Sequence, residues 1–125
     1  MSWSELGKGR AVLLTTFRKD GRPVGTAVWA APDGDRLVVW TQVKSWKVKR
    51  IRHNPDVTLQ VCDMRGNTQG EVLRGRAEIL DAVDTEHVRH VVSKKYGIAG
   101  KLTIGASKLF KGADSTVGLA ISPAQ

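Results

Sequence analysis

Apolar and polar positions along the chain follow the two-residue period of β-strands, and two segments break that rhythm. Residues 10–18, RAVLLTTFR, form a run of apolar and β-branched side chains that predicts a strand. Asp20-Gly21 supplies a turn, because glycine tolerates positive φ and aspartate favours turn geometry. A second strand is expected over about Val24–Ala31, a tight turn at Pro32-Asp33-Gly34-Asp35, and a third strand over Arg36–Thr41. Strands joined by turns this short pair antiparallel, since parallel pairing needs a long crossover. Further strands are predicted at Val57–Asp63, Gly70–Leu80 and Ser115–Ser122, with a loop at Met64–Gln69.

The two interruptions read as helices. In the first, Ser45 can cap a helix to His53 whose Val48 and Ile51 share one face, and Pro55 stops it. In the second, Asp84 is the expected cap, His87 the third helical position, Tyr96 the approximate end and Gly97 the stop. The pattern over residues 98–114 is ambiguous between a loop and a short helix carrying Lys108 and Lys111. Six antiparallel strands with few helices predict a mainly β fold. Closure into a small six-stranded barrel would remove the sheet edges, and the first helix would cover one end or seam.

Composition adds limits to this picture. A chain of 125 residues, 41% hydrophobic and 26% charged, with no linker or repeat, suits a single domain over residues 1–125. No apolar run approaches the roughly 20 residues of a membrane span. The opening MSWSELGKGR lacks the apolar segment of a signal peptide, and the lone Cys62 excludes an internal disulfide. The expectation is a cytoplasmic protein without membrane association.

A net charge of +8 asks for an anionic partner, whether nucleic acid, an acidic membrane surface or a phosphorylated small molecule. The placement of the charge is more informative than its size. Five basic residues, Lys44, Lys47, Lys49, Arg50 and Arg52, fall within nine positions around Trp46.

Other candidate chemistry is sparse. His87 and His90 have the spacing to meet one metal, but no further Cys or His cluster supplies the missing ligands, so surface histidines are the plainer reading. Cys62 lies in a strand between apolar neighbours and reads as a packed thiol. The glycines of Gly7–Gly9 do not follow a strand and open a helix, so they are no nucleotide-binding loop. No local motif supports a catalytic triad, and no catalytic side chain is assigned.

The basic segment has a bland reading as a solvated helix face. Against it stand the helix N-terminus at Ser45, whose free N–H groups and positive dipole end suit an anion, and Lys44 and Lys47 flanking that end. The strand leading in ends on Trp40-Thr41, an aromatic and a hydroxyl suited to a pocket wall. Stacking on single-stranded nucleic acid is the second reading, but only Trp40 and Trp46 lie near the cluster, while Trp29 alternates with the buried face of its strand.

The run KDGRPVGTAVWA…DGDRLVVWTQVKSWKVKRIRHNPDVTL, followed by CDMRG and GRAEIL, resembles the flavin/deazaflavin split-barrel oxidoreductases, the superfamily that includes pyridoxamine 5'-phosphate oxidase. The similarity runs from about Leu13 to Leu80 and is closest to the branch that uses coenzyme F420, a deazaflavin with a phosphate and a polyglutamate tail. The resemblance implies a homodimer with cofactor sites at the subunit interface, and hydride transfer to a small-molecule substrate. It implies that Ser45 and Lys47 grip the phosphate and that Trp40 and Thr41 lie beside the cofactor. The backbone from Thr26 through Ala27, Val28 and Trp29 would run along the ring. Lys49 and Arg50 would meet the acidic tail. FMN is the alternative cofactor within the fold, and a non-enzymatic cofactor carrier or nucleic-acid binder is the alternative in kind. The extended C-terminal region of pyridoxamine-phosphate oxidases has no counterpart here, so that activity is not expected. The N-terminal helix of many relatives is nearly absent if the first strand begins near residue 10.

Overall fold

A computed structural model of the chain describes residues 6, 11–42, 44–63, 65–95 and 116–124. The elements in order are β1 (Ala11–Phe17), β2 (Pro23–Val28), β3 (Ala30–Asp33), β4 (Arg36–Gln42), α1 (Trp46–His53), β5 (Asp56–Cys62), β6 (Thr68–Ile79), α2 (residues 82–95) and β7 (Thr116–Pro123). The strands form one antiparallel seven-stranded sheet in the order β2-β1-β5-β6-β7-β4-β3.

The sheet has seven strands where the sequence predicts six, and the reason is local. The segment expected as one strand over Val24–Ala31 pairs with β1 up to Val12↔Val28, then with β4 from Ala30↔Val39. One continuous segment thus serves two neighbours, and its ladder breaks at Trp29. The strands at the two ends of the sheet order are therefore joined by a single residue, so the ends of the sheet meet there and the sheet rolls into a barrel. Side-chain alternation continues across the break: Val28 and Ala30 face the barrel core, whereas Ala31 and Trp29 face the other side.

The barrel core contains Val12, Leu14, Leu37, Val39, Leu59, Leu119 and Ile121, and α1 adds Ile51 from one end. Leu6 is helical and fully buried among them. A buried helical residue therefore precedes the first strand, which begins at Ala11, close to the expected residue 10. A second apolar cluster lies outside the barrel, where Val88 and Val92 of α2 pack on Val38, Ala120 and Leu80, with Trp29 and Trp40 against them. Gly118 permits this close approach, since a Cβ there would lie 2.8 Å from Val88 Cγ2. Its N–H donates to the buried Thr85 hydroxyl at 2.9 Å, fastening α2 to β7.

Several boundaries differ from the sequence reading. The cap of α2 is Asp81, not Asp84: its carboxylate accepts from the Asp84 N–H at 2.8 Å and its carbonyl from the Thr85 N–H at 2.9 Å. Leu80 is buried, so the chain must leave the sheet there, and the first aspartate available closes the turn. His87 consequently falls in the second turn. The loop expected to Gln69 is shorter, because Asp63 accepts from the N–H groups of Arg65 and Asn67 and β6 begins at Thr68. The expected helix end at Tyr96 and Gly97, and residues 98–114, lie outside the described residues. Gly34 adopts φ +65° in the two-residue turn between β3 and β4, a conformation glycine takes without strain. Among the described residues no helix is long and apolar enough to cross a membrane.

Candidate functional site

The start of α1 is built as the sequence suggests. Ser45 has extended backbone (φ −68°, ψ 153°) and its hydroxyl accepts from the Val48 N–H at 3.4 Å. No acidic residue occupies the first turn, so nothing in the helix itself offsets the positive end of its dipole. Val48 and Ile51 are buried and seat the helix on the barrel end. Asn54, extended ahead of Pro55, ends it and donates to the Arg50 carbonyl at 2.8 Å.

Lys47 lies half-buried beside that N-terminus. Burial first, and the Arg50 charge second, pull its amine pKa below the ordinary lysine value. Among the described residues no carboxylate pairs with it. An under-solvated ammonium next to an unneutralised helix N-terminus is relieved on both counts by a bound anion. That chemistry fits a cofactor phosphate.

One turn further, α1 meets the hairpin between β1 and β2 across an open cavity of about 690 Å³. The helix contributes Trp46, Lys49, Arg50 and His53, and the hairpin contributes Phe17, Arg18, Lys19 and Val24. Arg50 Nε donates to the buried Thr16 hydroxyl at 2.6 Å. Burial and then the Arg18 guanidinium depress its pKa. The Lys49 ammonium sits 4.4 Å from the centroid of the Trp46 ring, within cation–π range.

The structure distributes the expected site residues over three places. Ser45, Lys47, Lys49 and Arg50 share α1 and its cap, but of these only Lys49 and Arg50 line the cavity. Along β2, Thr26 and Ala27 lie opposite Leu14 and Leu13. Thr26 is half-buried on the side of Val28, whereas Ala27 is exposed on the other. Trp29 and Trp40 pack in the outer cluster under α2, not against the cavity. Trp29 is thus core of that cluster rather than of the barrel. Thr41 is buried opposite Val117. Among the described residues the buried indole N–H of Trp40 has no hydrogen-bond partner, a donor left open beside Thr41.

Residues singled out for other chemistry are spoken for. His87 Nε2 lies 3.2 Å from the Asp33 carboxylate, which also accepts from Arg36. Burial works to raise the Asp33 carboxyl, but His87 and Arg36 together hold it below the usual carboxylate value. Cys62 is buried, and burial followed by the Asp63 charge pushes its thiol up, away from nucleophilic character. Among the described residues no group of three or more His, Cys, Asp or Glu side chains is placed to hold a metal.

The cavity also contains residues that sequence reasoning passed over. Arg18 and Lys19 sit just past the end of β1, and the fold brings them across from a helix some 30 positions later. A basic pair at a hairpin end was the available signal, but its distance from α1 in sequence concealed the connection.

A sequence profile of the pyridoxamine 5'-phosphate oxidase family matches residues 4–125. The chain belongs to the pyridoxamine 5'-phosphate oxidase family. No curated protein matches it by sequence. Among solved structures it is similar to an F420 reductase, with 25% identity, coverage of 100% of this chain and 95% of that one, and a TM-score of 0.68. It is also similar to an FAD-binding protein from Mesorhizobium loti (22% identity, 100% and 91% covered, TM-score 0.62). A haem storage protein from Vibrio cholerae aligns as well (18% identity, 97% and 87% covered, TM-score 0.68). These last two likenesses reach the fold alone. Similar folds thus occur in proteins named for F420, FAD and haem.

Proposed function

We propose that this family member binds coenzyme F420 as a homodimer and transfers a hydride from the reduced deazaflavin to an unsaturated organic substrate. The observation that carries this reading is the half-buried Lys47, without a carboxylate partner among the described residues, beside the Ser45-capped start of α1. In this account Lys47 and the N–H groups of the first turn hold the cofactor phosphate. The backbone of Thr26–Trp29 orients the ring, with Trp40 and Thr41 beside it. Lys49 and Arg50, a turn further on, face the carboxylates of the tail. The bound deazaflavin supplies the hydride, and the protein supplies orientation and electrostatics. The carbanion that hydride addition would leave on the substrate takes its proton from water, and no acid–base side chain of the chain is assigned to that step.

Support for F420 over FMN comes from the excess of cations on α1, because a polyglutamate tail adds carboxylates that FMN lacks. The F420 reductase likeness over nearly the whole of both chains agrees with it. FMN remains the second reading, since the Ser45–Lys47 arrangement suits any phosphate. The test is to incubate the purified protein with reduced F420 and a panel of electron-poor alkenes, following reoxidation of the cofactor. Turnover with at least one alkene, absent with reduced FMN, is expected. Turnover with FMN alone would replace the F420 assignment.

A further inference from the structure

The cavity between α1 and the β1–β2 hairpin has a composition that the phosphate site does not explain. One part of its lining is apolar and flat: the Phe17 ring, Val24, and the Trp46 indole, which is 70% exposed. The rest is basic: Arg18, Lys19, Lys49, Arg50 and His53. Among the described residues none of these five side chains takes part in an ion pair, while the acidic Asp20 at the hairpin tip is engaged with Arg22 at 2.7 Å. Exposed tryptophan is uncommon on a surface that has no use for it, and here its ring is already polarised by the Lys49 ammonium.

From this juxtaposition we propose that the cavity binds a planar aromatic carboxylate, a ligand separate from the redox cofactor. The aromatic body would lie against Trp46 and Phe17, and its carboxylates would meet Arg18, Lys19 and His53. A volume of about 690 Å³ suits such a molecule, being within the range of small-molecule pockets. Inorganic phosphate would leave the apolar wall unused. A single nucleic-acid strand could stack on Trp46, but it needs a basic track longer than one cavity. Arg50 is held in place by Thr16, so one wall is pre-formed and little ordering is needed on binding. Where F420 is the cofactor its tail would share this cavity through Lys49 and Arg50, and the second ligand would take Arg18, Lys19 and His53.

The test is calorimetric titration of the full chain with naphthalene-2,6-dicarboxylate, its neutral dimethyl ester and inorganic phosphate. The dicarboxylate should bind one per chain and weaken about tenfold on raising salt from low to moderate. The ester and phosphate should each bind at least about tenfold more weakly, lacking respectively the charge and the aromatic body. Arg18→Ala and Trp46→Ala, both at exposed side chains, should each weaken the dicarboxylate several-fold with unchanged circular dichroism. Arg18→Ala should leave F420 affinity as it was. The proposal fails if the dicarboxylate does not bind, if the ester binds equally well, or if neither variant alters binding. It also fails if saturating F420 or a short single-stranded DNA excludes the dicarboxylate, since the cavity would then belong to that ligand.

Discussion

Arg50 and Thr16 are 34 positions apart in sequence, yet the Arg50 Nε donates to the Thr16 hydroxyl at 2.6 Å. Thr16 is fully buried at the end of β1, on the face of Val12 and Leu14, so this bond ties the exposed half of α1 to the barrel. It also fixes one wall of the basic cavity, because Arg50 lines that cavity and Thr16 directly precedes Phe17.

Thr16→Val keeps the shape of the side chain and removes the acceptor. The variant should lose about 1–2 kcal/mol, within the range of a hydrogen bond to a charged group moderated by the half-exposure of Arg50. Urea unfolding of both proteins measures this directly. An unchanged midpoint would mean that the guanidinium finds equal partners in water.

Gly118→Ala should destabilise the protein by about 1–3 kcal/mol, the usual cost of overpacking. The new Cβ would meet Val88 Cγ2 at 2.8 Å and the Thr85 Cα at 3.4 Å, and backbone on α2 cannot move aside cheaply. The double variant with Val88→Ala should be less unstable than the sum of the two single changes, as contacting sites are non-additive. Simple additivity in thermal unfolding would argue against the close contact.

Lys47 separates binding from stability. Its amine pKa is lowered in the fold, so the charged form is disfavoured there relative to the unfolded chain. Lys47→Met should therefore leave the cofactor-free protein as stable as before or slightly more so. Cofactor binding should weaken by about 1.5–3 kcal/mol, the worth of hydrogen bonds to a charged group. Unchanged cofactor affinity would move the phosphate away from α1.

Lys95 gives a pH signature. Its amine donates to the Ala30 carbonyl, and burial pulls its pKa from 10.5 to about 8. Between those values the unfolded chain holds a proton that the folded chain has released, so stability rises with pH across that window. With Lys95 half-exposed, the slope should stay well under the roughly 1.4 kcal/mol per pH unit of one full proton. Comparing unfolding of the native chain and Lys95→Met at pH 8 and pH 10 isolates the effect, because the other titrating groups are common to both. Equal slopes would show that Lys95 is solvated like any surface lysine.

Much of the fold was legible because its determinants are local. Alternating burial placed the strands, Ser45 and Pro55 bracketed α1, and the glycine turns at Gly21 and Gly34 set the first hairpins. What escaped depends on contacts distant in sequence. The split at Trp29 arises because β1 and β4 compete for the two halves of one segment, and nothing in VGTAVWAA announces the handover. Asp81 and Asp84 are equivalent as caps in sequence, and the burial of Leu80 decides between them. The pairing of His87 with Asp33, 54 positions away, has no local signal. The same holds for the cavity. Its helical wall was visible as a basic run, but the hairpin wall of Arg18 and Lys19 exists only after β1 and α1 are brought together by Arg50.

In the F420 reading α1 holds the cofactor phosphate and faces its acidic tail. Fluorescence titration of the purified protein with F420 and, separately, with FMN at low and moderate salt tests it most directly. The account predicts tighter binding of F420 and a loss of its affinity with added salt larger than that of FMN, since exposed charge pairs are screened. Equal affinities with no salt dependence, or FMN bound more tightly at both salt concentrations, would contradict it.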